Sequence, residues 1–400
     1  MPLQRSVLVV AVLLLCGLAA ISWGVGGRAT LAAAALIGGF AGFGLYHASF
    51  GFTAAWRRLV REGRGAGVRA QLLLIVATAL VTYPLIGWEA QTGWNMHPVI
   101  LPMTLASALG AAVFGAGMQL GGGCASGTLF TVGGGSTRMV VTLIAFIAGS
   151  VAATAHMQEF WLRLDEITGV PGLPAFSVIE TFGPLGALAA LGGFAALIWA
   201  GTVAVERRTH GQVETLGRTE SFAQGPWGKG LGALALAAVG IACFLAFQRP
   251  WGITSGFALW GAMALEALGV SVRDWGYWSG WRAGQLDAPL LADRVSVMNF
   301  GIILGACAAA ALAGRFAPVW RISRRDLVTA VIGGLMMGYG ARLAFGCNIG
   351  AYLGGMVSGS AHGLWWLVWG FAGSWVGIGL RERLGLDPPI GHSAPPPTHA

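Results

Sequence analysis

The feature that most limits this chain is a recurring run of apolar residues without charge. Ser6 to Trp23 carries no charged side chain, and stretches of similar length follow to the end of the sequence. A helix needs roughly 20 apolar residues to cross a bilayer. Composition agrees: 56% of the 400 residues are apolar and 10% are charged, against roughly 25% charged in soluble domains. A soluble fold of this length could not cover its surface with so few charges. The 65 glycines suit close helix packing in membranes. The tryptophans suit an interfacial belt, and Trp23, Trp56, Trp88, Trp94, Trp161 and Trp199 fall near predicted span ends.

Hydropathy predicts an all-α membrane protein, a polytopic bundle of about 10 transmembrane helices. The predicted spans are Ser6 to Trp23, Thr30 to Ala48, Val68 to Trp88, Val99 to Leu120, Met139 to Met157 and Pro184 to Val205. A polar linker, Glu206 to Lys229, separates them from Gly230 to Phe247, Val295 to Arg315, Leu327 to Phe345 and Gly363 to Leu380. Residues 1–386 read as one membrane domain. Residues 387–400, rich in proline and polar groups, read as a disordered tail. Arg5 and the apolar run behind it have the form of a signal peptide. The absence of a clear A-x-A site favours a first membrane helix.

The net charge of +8 is no nucleic-acid signal, because the basic residues lie in a few short loops. Arg57, Arg58, Arg61, Arg64 and Arg69 make one. Arg207, Arg208, Arg218 and Lys229 make a second, and Arg315, Arg321, Arg324 and Arg325 a third. All three are expected on the cytoplasmic side, as is the N-terminus. The loops with Glu89, Glu159, Asp165, Glu166, Glu180, Asp274, Asp287 and Asp293 are expected outside. A bacterial-type inner membrane is the expected location.

The sequence also repeats itself. Gly110, Gly115, Gly117, Leu120, Gly123, Cys124 and Gly127 align without a gap on Gly333, Gly338, Gly340, Leu343, Gly346, Cys347 and Gly350. Downstream, Phe146-Ile-Ala-Gly-Ser150 resembles Gly370-Phe-Ala-Gly-Ser374. Upstream, Phe50-Gly-Phe-Thr53 resembles Trp251-Gly-Ile-Thr254. The helix before Cys124 runs inward by the charge rule, and the one before Cys347 runs outward. The expectation is two inverted-topology repeats, about 29–157 and 230–380, joined by a bridging helix and linker at 184–229. Transporters with inverted repeats bind solutes near the midplane, at the repeat interface.

Gly121-Gly-Gly-Cys124-Ala-Ser-Gly127 and Phe345-Gly-Cys347-Asn-Ile-Gly350 each follow a long helix. Each Gly costs about 1 kcal/mol relative to Ala in a helix, so both segments read as breaks. Re-entrant half-helices are expected behind them, at Ala125 to Val132 and Asn348 to Val357. Non-helical backbone at that depth is tolerated only against protein or a water-filled cavity. Free N–H groups and the positive end of each half-helix would favour a small anion beside a thiol. Ser126 and Asn348 would add hydrogen bonds. Gln119 and Arg342 each precede a cysteine by five residues, and an intramembrane arginine is usually functional. The alternative for Arg342 is snorkelling to the outer interface. Cys16, Cys243 and Cys307 read as buried packing residues. His156 and His362 are expected at helix ends. Glu266 lies in Ala258 to Val270, a second candidate re-entrant segment, and reaching the outer surface is its simpler role. No zinc pattern, ATPase motif, catalytic base or cofactor motif is visible.

At these residues the chain resembles the YeeE/YedE family of sulfur-transport membrane proteins. The resemblance rests on the segments at Cys124 and Cys347 and on Trp251-Gly-Ile-Thr-Ser-Gly-Phe-Ala-Leu-Trp260, and covers about Leu31 to Leu380. It implies an hourglass-shaped protein, re-entrant from both sides, in which thiosulfate passes between cysteine thiols. Cys124 and Cys347 match two of those positions. A further family cysteine often follows a Gly-Phe pair in the first half; here Gly51-Phe52 is followed by Thr53.

The expected function is thus a permease, not an enzyme, for thiosulfate or a related small sulfur-containing anion. The expected path is lined by Cys124, Cys347, Gly123, Ser126, Gly127, Gly346, Asn348, Gly350, Gln119 and Arg342. The expected partners are that anion, the bilayer and a cytoplasmic sulfur-acceptor protein, with no nucleic acid, metal or cofactor. Two other readings stand beside it: a sulfur-transfer or redox component that forms a cysteine persulfide, and a non-transporting anchor subunit.

Overall fold

The apolar runs fold as helices, which satisfy their backbone hydrogen bonds internally, as a spanning segment in hydrocarbon requires. A computed structural model describes residues 3–26, 29–319 and 321–387. Among these residues ten helical stretches are long and apolar enough to cross a membrane, and there is no β-strand. The first half contains α1 (Arg5–Gly26), α2 (Ala29–Ala48), α3 (Phe52–Glu62), α4 (Ala66–Gly87), the short α5 (Glu89–Thr92), α6 (Leu105–Gly121), α7 (Ala125–Gly133) and α8 (Thr137–His156). A short α9 (Leu164–Thr168) precedes α10 (Val178–His210). The second half contains α11 (Lys229–Phe247), α12 (Thr254–Ala267), the short α13 (Ala283–Asp287), α14 (Arg294–Leu312), α15 (Arg324–Leu343), a π-helical segment (Asn348–Leu353) running into α16 (Gly354–Val357), and α17 (Ala361–Arg383). Most of the expected tail, 388–400, lies outside the described residues.

Local chemistry explains where the helices depart from the hydropathy spans. The span expected from Val99 begins as a helix only at Leu105, because Pro98 and Pro102 keep the preceding chain extended. Thr104 then opens α6 in a capping box with Ser107. α10 kinks at Gly183 (φ 68°, ψ 167°), just before Pro184. The linker does not start at Glu206, because α10 continues to His210. Glu206 is 0% exposed and pairs with the 2% exposed Arg69 at 3.0 Å. It also accepts from the backbone N–H groups of Gly65 and Glu214, which is the satisfaction a buried charge needs.

Helix packing is close, and glycine permits it. α6 lies between α15 and α17, and α15 also packs on α8. A Cβ on Gly115 would meet the Gly370 carbonyl oxygen, and one on Gly333 the backbone of Gly121. Backbone contact of this kind is how small residues hold membrane helices together. α2 packs on α14 and α11 on α4, while α3 touches α17 and α12 touches α8. α1 lies outside against α2 and α14, and α10 against α4.

The loops sort onto two faces. Arg58 pairs with Glu214 and Arg61 with Glu382. Arg325 donates to the Gly385 carbonyl, and Gln4 exchanges hydrogen bonds with Phe316. These contacts gather the three basic loops and the N-terminal end on one arginine-rich face. On the other face Trp278 donates to Thr154, Arg342 reaches Tyr277, and Arg273 bridges Glu266 and Asp287.

Three expectations are corrected. Trp56 is 2% exposed rather than interfacial, because α3 turns inward and its indole donates to Gln71. Cys16 is exposed on the outer surface of α1, not buried. Cys307 is only partly buried, whereas Cys243 is buried as expected.

Candidate functional site

The two glycine-rich segments interrupt their helices as the sequence suggests. α6 stops at Gly121, and Gly122 (φ 89°) caps it in the left-handed region. Cys124 is then extended and opens α7. In the second half Phe345 (φ 60°) and Gly346 (φ 150°) turn the chain. Cys347 is likewise extended and opens the π-helical segment. The Cys124 carbonyl accepts from the Thr128 N–H, and the Cys347 carbonyl from the Ala351 N–H. α7 and the π-helical segment touch, and the two thiols lie within electrostatic reach of each other. Cys124 is 1% exposed and Cys347 0%, so neither thiol is open to solvent in this conformation.

The polar groups around the thiols are incompletely paired. Ser126 Oγ lies 3.4 Å from Cys124 Sγ. Asn348 is fully buried, and neither its Nδ2 nor its Oδ1 has a hydrogen-bond partner among the described residues. Leaving such a group unpaired costs about 1–3 kcal/mol. A Cβ on Gly127 would touch Cys124 Sγ, whereas one on Gly350 would meet nothing within 4 Å. Gly123 and Gly346 sit against the first turns of the short helices.

Gln119 and Arg342 occupy related positions, and each reaches the threonine at the start of a short helix. Gln119 Nε2 donates to the Thr53 carbonyl at 3.1 Å and to Ser374 Oγ at 2.7 Å, while its Oε1 is unpartnered. Arg342 Nη2 donates to Thr254 Oγ1 at 2.7 Å and Nη1 to the Tyr277 hydroxyl at 3.3 Å. Among the described residues Arg342 has no carboxylate partner, and its buried Nε has no hydrogen bond. Arg282 lies over the Tyr277 ring at 4.5 Å. Burial alone would raise the Tyr277 pKa, yet the charges of Arg342 and Arg282 hold it below the ordinary tyrosine value. The immediate surroundings of the Tyr277 hydroxyl are therefore electropositive.

Thr53, Thr254, Tyr277 and Ser374 are absent from the sequence-based set. The matched Thr53 and Thr254 of the repeat were the available signal; nothing in the sequence pointed to Tyr277. Glu266 accepts from Val272 N–H and pairs with Arg273, a structural role at the loop. His156 and His362 lie at helix ends, as expected.

A polytopic helical bundle whose helices are interrupted beside buried, unpartnered polar groups is the build of a multi-pass membrane protein. The chain belongs to the Sulphur transport family, whose profile matches residues 47–376. Among curated proteins it is 26% identical over 308 residues to the thiosulfate transporter TsuA of Spirochaeta thermophila, covering 70% of this chain and 78% of that one. It is 34% identical over 100 residues to the probable transporter YedE of Escherichia coli K12, and 35% to that of Salmonella typhimurium. The match spans a quarter of the length of each YedE protein.

Proposed function

We propose that this protein is a permease for thiosulfate or a closely related small sulfur-containing anion, which passes between the thiols of Cys347 and Cys124. The observation that carries this reading is the meeting of two helix breaks from different halves. Each places a buried cysteine at its opening residue, and Cys347 is followed by Asn348, whose amide atoms are unpartnered. The anion would be drawn in by Arg342 and then meet the free N–H groups at the start of α7. Thiol contacts are weak, and a transport site must release what it binds. The thiols act as neutral donors, since a thiolate would repel the solute. The name of the TsuA relative supports the substrate class.

The halves are read as inverted repeats. Exchanging them maps α2 on α14 into α11 on α4, α8 on α15 into α17 on α6, and α3 on α17 into α12 on α8, all of which are observed pairs. The short helices behind Cys124 and Cys347 are read as re-entrant, from opposite faces. The arginine-rich face is assigned to the cytoplasm of a bacterial-type inner membrane by the charge rule. There the anion would be handed to a sulfur-acceptor protein.

Uptake of radiolabelled thiosulfate into liposomes containing only this protein tests the proposal. Absence of flux would favour an anchor subunit. A persulfide on Cys124 or Cys347 in the intact-protein mass after substrate exposure would favour covalent sulfur transfer.

A further inference from the structure

Arg381, in the last turn of α17, is buried and donates from Nη1 to the Gln119 carbonyl at 2.6 Å. Its other edge is occupied by the protein's own chain. Gly385 (φ 62°) turns the backbone, Leu386 N–H bonds the Arg381 carbonyl, and Asp387 folds back onto the guanidinium. Both carboxylate oxygens accept, at 2.8 Å from Nε and 2.7 Å from Nη2. Arg61 Nη1 lies 3.5 Å from the same carboxylate, whose side chain is 8% exposed. Arg57 is within electrostatic reach of Arg381, Asp387, Arg61 and Glu62, and makes no hydrogen bond or ion pair with a described residue.

We propose that Arg57, Arg61 and Arg381 form a second oxyanion site on the arginine-rich face, and that Asp387 is its tethered occupant. A guanidinium edge that holds two carboxylate oxygens presents the same fork to the O–S–O edge of sulfate or thiosulfate. The site is one hydrogen bond from Gln119, a candidate path residue, so an anion there would sit at the inner end of the route. Naming the transported solute as the ligand rests on the permease reading; the site itself does not. Asp387 stays ionised at neutral pH: burial opposes ionisation, but the hydrogen bonds from Arg381 and the charges of Arg381, Arg57 and Arg61 hold its pKa below the usual value. A tether of a few residues gives an effective concentration on the order of millimolar. Free anion therefore competes poorly until the carboxylate is removed.

The test uses the full chain in detergent, on a Cys124→Ala/Cys347→Ala background so that the thiols do not contribute. Sulfate and thiosulfate binding are read by calorimetry and by anion-dependent melting temperature. Asp387→Asn should bind either anion roughly tenfold more tightly than its parent, as expected if the carboxylate occupies about nine-tenths of the sites. The gain should vanish when Arg57→Gln is added, a substitution that breaks no direct bond. Equal affinity in Asp387→Asn and its parent, or a gain that survives Arg57→Gln, overturns the proposal. A gain in binding with no thiosulfate uptake by the cysteine-intact protein would uphold the site and sink the permease reading.

Discussion

Cys124 and Cys347 occupy the same backbone station: each is the extended residue that opens a short helix, with φ/ψ of −79°/−172° and −100°/−169°. They lie 223 residues apart (347 minus 124), yet their short helices touch. If the solute passes both thiols, neither alone suffices. Cys124→Ala and Cys347→Ala should each lose most thiosulfate uptake, with the double variant no worse than the poorer single. Ser at either site should also be impaired, since a hard hydroxyl replaces a polarisable thiol. Cys16→Ala, Cys243→Ala and Cys307→Ala should transport normally. Parental rates in both path variants would refute the thiol route and leave the fold untouched.

Asn348 offers a sharper separation of stability from function. Its amide is buried and unpartnered, so replacing it with an apolar side chain of similar size removes a cost of about 1–3 kcal/mol. Asn348→Leu should melt in detergent no lower than the parent while its uptake falls. Lowered melting with unchanged uptake would assign the amide to packing instead.

Arg342 donates to two different oxygens, on Thr254 and Tyr277. If it also meets the anion, Arg342→Gln should lower uptake about tenfold, the equivalent of one charged hydrogen bond of ~1.5 kcal/mol. Lys should not restore it, because an ammonium lacks the planar fork. Normal uptake by Arg342→Gln, inserted at parental yield, would return the residue to an anchoring role.

The Arg69–Glu206 pair is buried on both sides. Breaking such a pair from one side costs about 3–5 kcal/mol, because the remaining charge is left uncompensated. Glu206→Gln should therefore lower the melting temperature sharply, without a specific loss of thiosulfate affinity in whatever folded protein remains. A melting temperature equal to the parent's would contradict the burial.

Single cysteines at positions 61, 218 and 321, on a cysteine-free background, should react with an impermeant reagent from one side of the membrane. Those at 165 and 287 should react from the other. Opposite labelling of 61 and 321 would end the inverted-repeat reading.

Much of this was legible in the sequence because hydrophobicity and glycine act locally. Charge-free runs locate spans, and Gly-Gly-Gly before Cys124 or Phe-Gly before Cys347 locates a break. What escaped was set by tertiary contact. The burial of Trp56 depends on α3 packing against α4 and α17, and a residue near a span end looks interfacial from composition alone. Glu206 reads as the start of a polar linker until Arg69, far away in sequence, is seen to neutralise it. The Asp387 contact depends on a turn at Gly385 whose direction no periodicity encodes.

The glycine contacts of α6 have a kinetic consequence. Where α6 meets α15 near Gly333 and α17 near Gly370, backbone faces backbone, with no side chain between them along which to slide. A large rocking cycle would have to open these contacts on every turnover. Flux should then depend on temperature as local side-chain rearrangement does, with a shallow Arrhenius slope, and should rise with solute gradient without the early ceiling that a slow carrier cycle imposes.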